Sequence, residues 1–172
     1  MTKRRKPTQG LTKKDDRLFT LEVCIISGPM TEEFVKKNKV ISRTIQIRGT
    51  QTLEVFHCAM FGALGREDEH MYEFQVGGKG PADPKAKKYV LPMAMDAPFA
   101  EKEPAGDITR TAIGSLGLKV GDAFGYWFDF GDDWWHQINV VAIEDKPPRG
   151  VLPRVTKRIG ESPPQYIDLD QE

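Results

Sequence analysis

The stretch Tyr126-Trp-Phe-Asp-Phe-Gly-Asp-Asp-Trp-Trp-His136 decides the reading of this chain. Phe124 to Phe130 and Trp134 to Ile143 each alternate as strands do, and Gly131-Asp132-Asp133 lies between them, so the pattern predicts a hairpin. On its second strand Trp134, His136, Ile138 and Val140 share one face, and Trp135, Gln137 and Asn139 share the other. The same alternation points Trp127 and Asp129 away from Phe128 and Phe130. Gly131 is expected to supply the unusual backbone conformation of the turn, with neighbouring aspartates accepting backbone N–H groups. Cross-strand aromatic pairs add about 0.5 to 1.5 kcal/mol each beyond burial, so the stretch reads first as a structural clasp. A second reading makes it a binding face built from Trp127, Trp135, Asp129, Asp132, Asp133 and His136, because aromatic side chains are enriched where proteins recognise partners. The Asp-Phe-Gly triplet inside it is not a kinase signature, since the chain has no catalytic-loop motif and is too short for that fold.

Upstream of the hairpin the chain supplies more strands and two helices. Phe19, Leu21, Val23 and Ile25 alternate with polar residues and predict a strand over residues 17 to 26, which Gly28-Pro29 ends. Thr31 opens a short helical pattern, and residues 40 to 48 read as a β-branched strand. Thr50 is the expected cap of a helix over residues 51 to 64, whose buried stripe is Leu53, Phe56, Met60, Phe61 and Leu64, with His57 on it. After the polar turn Arg66-Glu-Asp-Glu69, alternation places His70, Tyr72, Phe74 and Val76 on one face. Residues 77 to 107 read as one long loop with a short strand over 88 to 91, either mobile or a cover over a site. Its Gly77-Gly-Lys-Gly80 lacks the remainder of a phosphate-loop pattern. Asp107 is the expected cap of a short helix over residues 108 to 116.

Composition bounds the function classes. The 172 residues carry 25 Lys plus Arg and 25 Asp plus Glu, so overall charge points to neither nucleic acid nor a membrane surface. The expected organisation is a disordered basic arm over residues 1 to 16, one domain over 17 to 146, and a Pro-rich extended tail over 147 to 172 that packs on the domain or trails from it. Nucleic acid could be contacted through the arm, which holds Lys3, Arg4, Arg5, Lys6, Lys13 and Lys14. No apolar run approaches membrane-spanning length and no secretory signal is visible, which predicts a cytoplasmic protein with no membrane partner. Cys24 and Cys58 have no metal or redox spacing and are expected to be reduced, buried thiols.

The hairpin core, Leu118-Lys-Val-Gly-Asp122, Thr52-Leu53 with His57, Glu69-His-Met-Tyr-Glu-Phe74 and Gly160-Glu-Ser-Pro-Pro-Gln-Tyr166 together resemble the plasmid pRiA4b ORF-three-like family of prokaryotic proteins, also described as insertion-element passengers. The resemblance runs from about Leu21 to Tyr166 and implies an α+β single domain with an antiparallel sheet packed against a few helices. It implies a mobile-element association and carries no settled activity. Where many members have a Gly-Trp pair after the first helix, this chain has Gly62-Ala-Leu-Gly65.

Two functional expectations follow. The first is a non-enzymatic binding module whose unknown ligand or protein partner meets the hairpin face and the long loop. The alternative is a metal-dependent hydrolase or nuclease in which His57, His70 and His136 point inward and, with the hairpin aspartates, hold a divalent metal. No His-Glu-x-x-His spacing supports it. Cys58 next to His57 makes no nucleophilic pair, because neighbours on a helix point about 100° apart.

Overall fold

Strand alternation and helical stripes assemble here around one sheet. The computed structural model describes residues 14–98, 100 and 102–168. In chain order its elements are β1 (Leu18–Ser27), α1 (Glu32–Lys37), β2 (Ser42–Arg48), α2 (Leu53–Ala63), β3 (Tyr72–Val76), β4 (Lys87–Val90), β5 (Gly106–Asp107), β6 (Ala123–Phe128), β7 (Trp134–Glu144) and β8 (Arg154–Ile159). The eight strands form a single sheet in the order β5-β4-β3-β6-β7-β1-β2-β8. Every pairing is antiparallel except β4 with β5. The domain is therefore mostly sheet with two helices, a sheet-heavy form of the α+β class.

Its core lies on one face. Phe19, Leu21 and Val23 of β1, Ile45 and Ile47 of β2, Phe74 of β3, Phe124, Tyr126 and Phe128 of β6, and Trp134 and Ile138 of β7 are buried together beneath Leu53, Phe56 and Met60 of α2. Completely burying one such side chain is worth about 1.5 to 3 kcal/mol, which makes the helix stripe and the inward strand face the main adhesive. Among the described residues no helix is long and apolar enough to cross a membrane.

Several local expectations change. Thr31 does cap α1, accepting from Phe34 N at 3.2 Å. The cap of α2 is Thr52 rather than Thr50, because Leu53 N and Glu54 N are claimed by the carbonyls of Thr111 and Ile108 and the first turn must start there. Asp107 does not cap a helix over residues 108 to 116. It belongs to β5, and its carboxylate accepts from Thr109 N and Thr109 Oγ1, with only a single 3-10 turn later at residues 113–115. Within the segment after residue 146, β8 pairs with β2 and forms one edge of the sheet. Cys58 is exposed and Cys24 partly buried, so neither is a core thiol. Residues 1–13 of the expected arm and 169–172 of the tail lie outside the described residues. Residues 14–16 join the fold: Asp16 holds Arg48 through two hydrogen bonds, at 3.0 and 2.9 Å.

The turn of the hairpin departs most from expectation. β6 stops at Phe128, and the left-handed residues are Asp129 (φ 60°) and Asp133 (φ 57°), while Gly131 is not among the positive-φ positions. Aspartate tolerates this region because its short side chain bonds locally. Asp129 Oδ1 accepts from Gly131 N and Asp132 N at 3.1 and 3.2 Å. Ending the strand two residues early throws Phe130 to the outer face against Trp127, with ring centroids 4.2 Å apart, and leaves Asp129 buried.

Candidate functional site

The hairpin has two chemically different faces. On the inner face a chain of polar groups runs through the core. His57, on the buried stripe of α2, lies with its Nδ1 2.6 Å from the Tyr126 hydroxyl and its Nε2 2.9 Å from both oxygens of Glu69. Its ring stacks on Tyr72 at 3.7 Å. A carboxylate can only accept, so Nε2 carries the proton and Nδ1 accepts from the tyrosine. His136, opposite Tyr126 in the ladder, has Nδ1 3.0 Å from the Tyr126 carbonyl and Nε2 2.8 Å from Arg66 Nη2. Guanidinium only donates, so here Nδ1 carries the proton and Nε2 accepts.

Both imidazoles are neutral. Burial lowers the pKa of His57 despite the raising influence of Glu69, which makes the His57–Glu69 contact a hydrogen bond rather than an ion pair. His136, completely enclosed, is pushed well below its ordinary value by burial and then by the neighbouring Arg66 charge. Burial likewise raises the Tyr126 phenol well above its ordinary value and draws Arg66 down to about 10, so the guanidinium remains charged at neutral pH. Arg66 lies over Phe128 and Trp134, its carbon 4.6 and 5.1 Å from their centroids. Two donors in this corner, Arg66 Nη1 and Trp134 Nε1, are buried without a hydrogen-bond partner. Each such group costs roughly 1 to 3 kcal/mol if left bare.

The third histidine stands elsewhere. His70 precedes β3 and is half-buried at the rim, its Nε2 2.9 Å from the Tyr166 hydroxyl and 3.4 Å from Asp129 Oδ2. Of the three expected metal ligands, His57 and His136 share Tyr126 as a neighbour with all four ring nitrogens engaged, and His70 is bound up with the turn and the C-terminal segment. Among the described residues no group of three His, Cys, Asp or Glu side chains is arranged to hold a metal ion. The hairpin aspartates also separate: Asp129 is buried in the turn, Asp133 accepts from Trp127 Nε1 at 2.9 Å, and Asp132 is exposed.

The outer face carries a cleft. Trp127 and Trp135 pair across the strands with rings 4.8 Å apart and nearly parallel, at 5°. They form one wall of a cavity of about 280 Å³, whose other parts come from Glu73 and Lys88 of β3 and β4 and from Asp83 and Lys102 of the long loop. Residues 79–85 of the loop are fixed over the sheet. Ala82 N donates to Gln75 Oε1 at 2.6 Å, and Asp83 gathers Lys79 N and Lys85 N at 2.7 and 2.9 Å. A Cβ on Gly125 would lie 2.6 Å from the Pro81 Cα, so glycine is what lets loop and strand touch. The cleft balances two carboxylates against two ammonium groups, with Lys88 Nζ 3.7 Å from Glu73 and Lys102 Nζ donating to the Pro84 carbonyl. Trp127 and Trp135 were expected in a binding face. Glu73, Lys88, Asp83 and Lys102 were not, although the alternation of β3 already put Glu73 and Gln75 opposite Tyr72 and Phe74.

A family model described as plasmid pRiA4b ORF-3-like protein matches residues 33–168. Among solved structures, the chain is similar to a protein of unknown function, MM3350, from Methanosarcina mazei Go1. The two share 20% identity and a TM-score of 0.60 over 85% of this chain and 72% of that one. Likeness at that identity shows the fold and not the activity. No curated protein matches the chain significantly.

Proposed function

The chain belongs to the plasmid pRiA4b ORF-3-like family, and from that starting point we propose that it is a non-enzymatic binding module whose ligand or protein partner occupies the cleft between the Trp127–Trp135 wall and the long loop. The observation that carries the reading is the meeting of hairpin and loop in one preformed concavity, mostly aromatic on one side and with charges of both signs on the other. Ligand sites are typically concave and apolar with a few fixed polar groups. The groups best suited to proton transfer, His57, Tyr126 and His136, are instead buried and spent on one another. A mobile-element setting, implied by the family resemblance, belongs to the same proposal and supplies the context rather than the contacts.

A small-molecule fragment library screened against the ¹⁵N-labelled full chain tests it. Indole N–H signals of Trp127 and Trp135 are expected to shift with the hits while that of Trp134 stays in place. Hits that cluster away from Trp127 and Trp135 would remove the proposal.

A further inference from the structure

Glu73 lies on the outer face of β3, opposite Trp127 in the ladder, and lines the cavity between the tryptophan wall and the long loop, yet it is only 4% exposed. Acidic side chains are almost never buried so deeply unless they are paired. Its neighbours attend to one oxygen. Gln75, whose own Oε1 is held by Ala82 N at 2.6 Å, donates from Nε2 to Glu73 Oε1 at 3.0 Å, and Lys88 Nζ approaches the same oxygen at 3.7 Å. Oε2 receives no hydrogen bond from any described residue. Nor is it sealed in, since among the described residues the enclosed side-chain atoms without a partner are Arg66 Nη1 and Trp134 Nε1. The carboxylate is oriented through one oxygen and open through the other.

Charge narrows what fits there. Lys88 is the cation beside Glu73, but 3.7 Å is too long for a hydrogen bond and 52% of its side chain is in solvent. Lys102, also exposed, donates to the Pro84 carbonyl. Water screens these two ammonium groups far more than it screens the enclosed carboxylate. Asp83, the other acid of the cavity, already accepts from the backbone amides of Lys79 and Lys85. Charged donors make the shorter and stronger hydrogen bonds to a carboxylate, so a positively charged N–H group suits Oε2 best. A ligand carboxylate has no proton to offer that oxygen and is repelled by it.

Taking the cleft as a ligand site, on which this inference rests, we propose that its ligand is a small organic cation. A protonated amine or guanidinium donates to Glu73 Oε2, and the apolar body lies against Trp127 and Trp135. A cavity of about 280 Å³ is at the small end for ligand sites, which favours a compact amine.

Three probes of similar shape test the charge: phenethylamine, phenethyl alcohol and hydrocinnamate, which are cationic, neutral and anionic at neutral pH. Each is titrated into the ¹⁵N-labelled full chain and followed at the Trp127 and Trp135 indole N–H signals. The amine is expected to shift both signals saturably, with a Kd about ten-fold or more below that of either other probe. Glu73→Gln, which keeps the shape and removes the charge, should weaken the amine about ten-fold and leave the alcohol within about two-fold. If that variant does not fold, the wild-type ranking decides. An alcohol or carboxylate bound as tightly as the amine, an amine that leaves both signals in place, or an unchanged amine affinity in Glu73→Gln overturns the inference. The cleft itself is judged separately, by whether hits from the fragment library gather at Trp127 and Trp135.

Discussion

Acidification should unfold this protein earlier than its carboxylates alone would require, because His136 is buried neutral. Its folded pKa is well below the ordinary 6.5, lowered by burial and by Arg66. Unfolding restores the ordinary value, so between the two pKa values the unfolded chain binds more protons, and stability is lost as pH falls from about 6.5. At pH 5.5 the unfolded state gains RT ln 11 from this one group, about 1.4 kcal/mol, and almost nothing at pH 7.5. His57, shifted in the same direction, adds to the loss. Urea unfolding followed by tryptophan fluorescence at pH 7.5, 6.5 and 5.5 measures it. In His136→Gln, whose side-chain oxygen can still accept from Arg66, the fall in stability between pH 7.5 and 5.5 should be smaller by about 1.4 kcal/mol. An unchanged pH slope in that variant would refute the neutral, enclosed imidazole.

Tyr126→Phe removes the donor to His57 Nδ1 and strands that nitrogen in the core, so it should cost about 2 kcal/mol in a urea melt. Gln165→Ala deletes three hydrogen bonds to residues 67–68 and should cost about 2 to 3 kcal/mol. Hydrogen exchange of the Glu67 and Asp68 amides should accelerate, and unchanged protection there would count against the clamp. Gly28→Ala places a methyl group into the Trp134 ring, an overpacking expected to cost about 1 to 3 kcal/mol, visible as a lower urea midpoint.

Much of the inner face was legible in the sequence because period and burial agree there. Trp134, His136, Ile138 and Val140 alternate, and Leu53, Phe56, His57 and Met60 recur at helical spacing, so orientation followed from position. What escaped was decided by long-range pairing. Thr50 and Thr52 are equivalent caps locally, and only the carbonyls of Ile108 and Thr111 choose between them. β8 reads Arg-Val-Thr-Lys-Arg-Ile between prolines, a charged edge strand that lacks the apolar signal of a central one. Arg66 stands first in an apparently solvated polar turn, and nothing nearby in sequence announces that it turns inward onto Phe128 and Trp134. Two left-handed aspartates flank the hairpin turn, which moved Phe130 to the outer face and gave Trp127 a second aromatic neighbour. The cleft needed both ends of the fold to become visible, since Lys102 and Asp83 lie in a loop with no periodicity to read.

The most direct measurement is a crystal structure of the full chain with the tightest fragment from the screen. The account predicts ligand density against the Trp127 and Trp135 rings with a polar contact to Glu73, Lys88 or Lys102. Density seated anywhere else, with the cleft left to solvent, would contradict it.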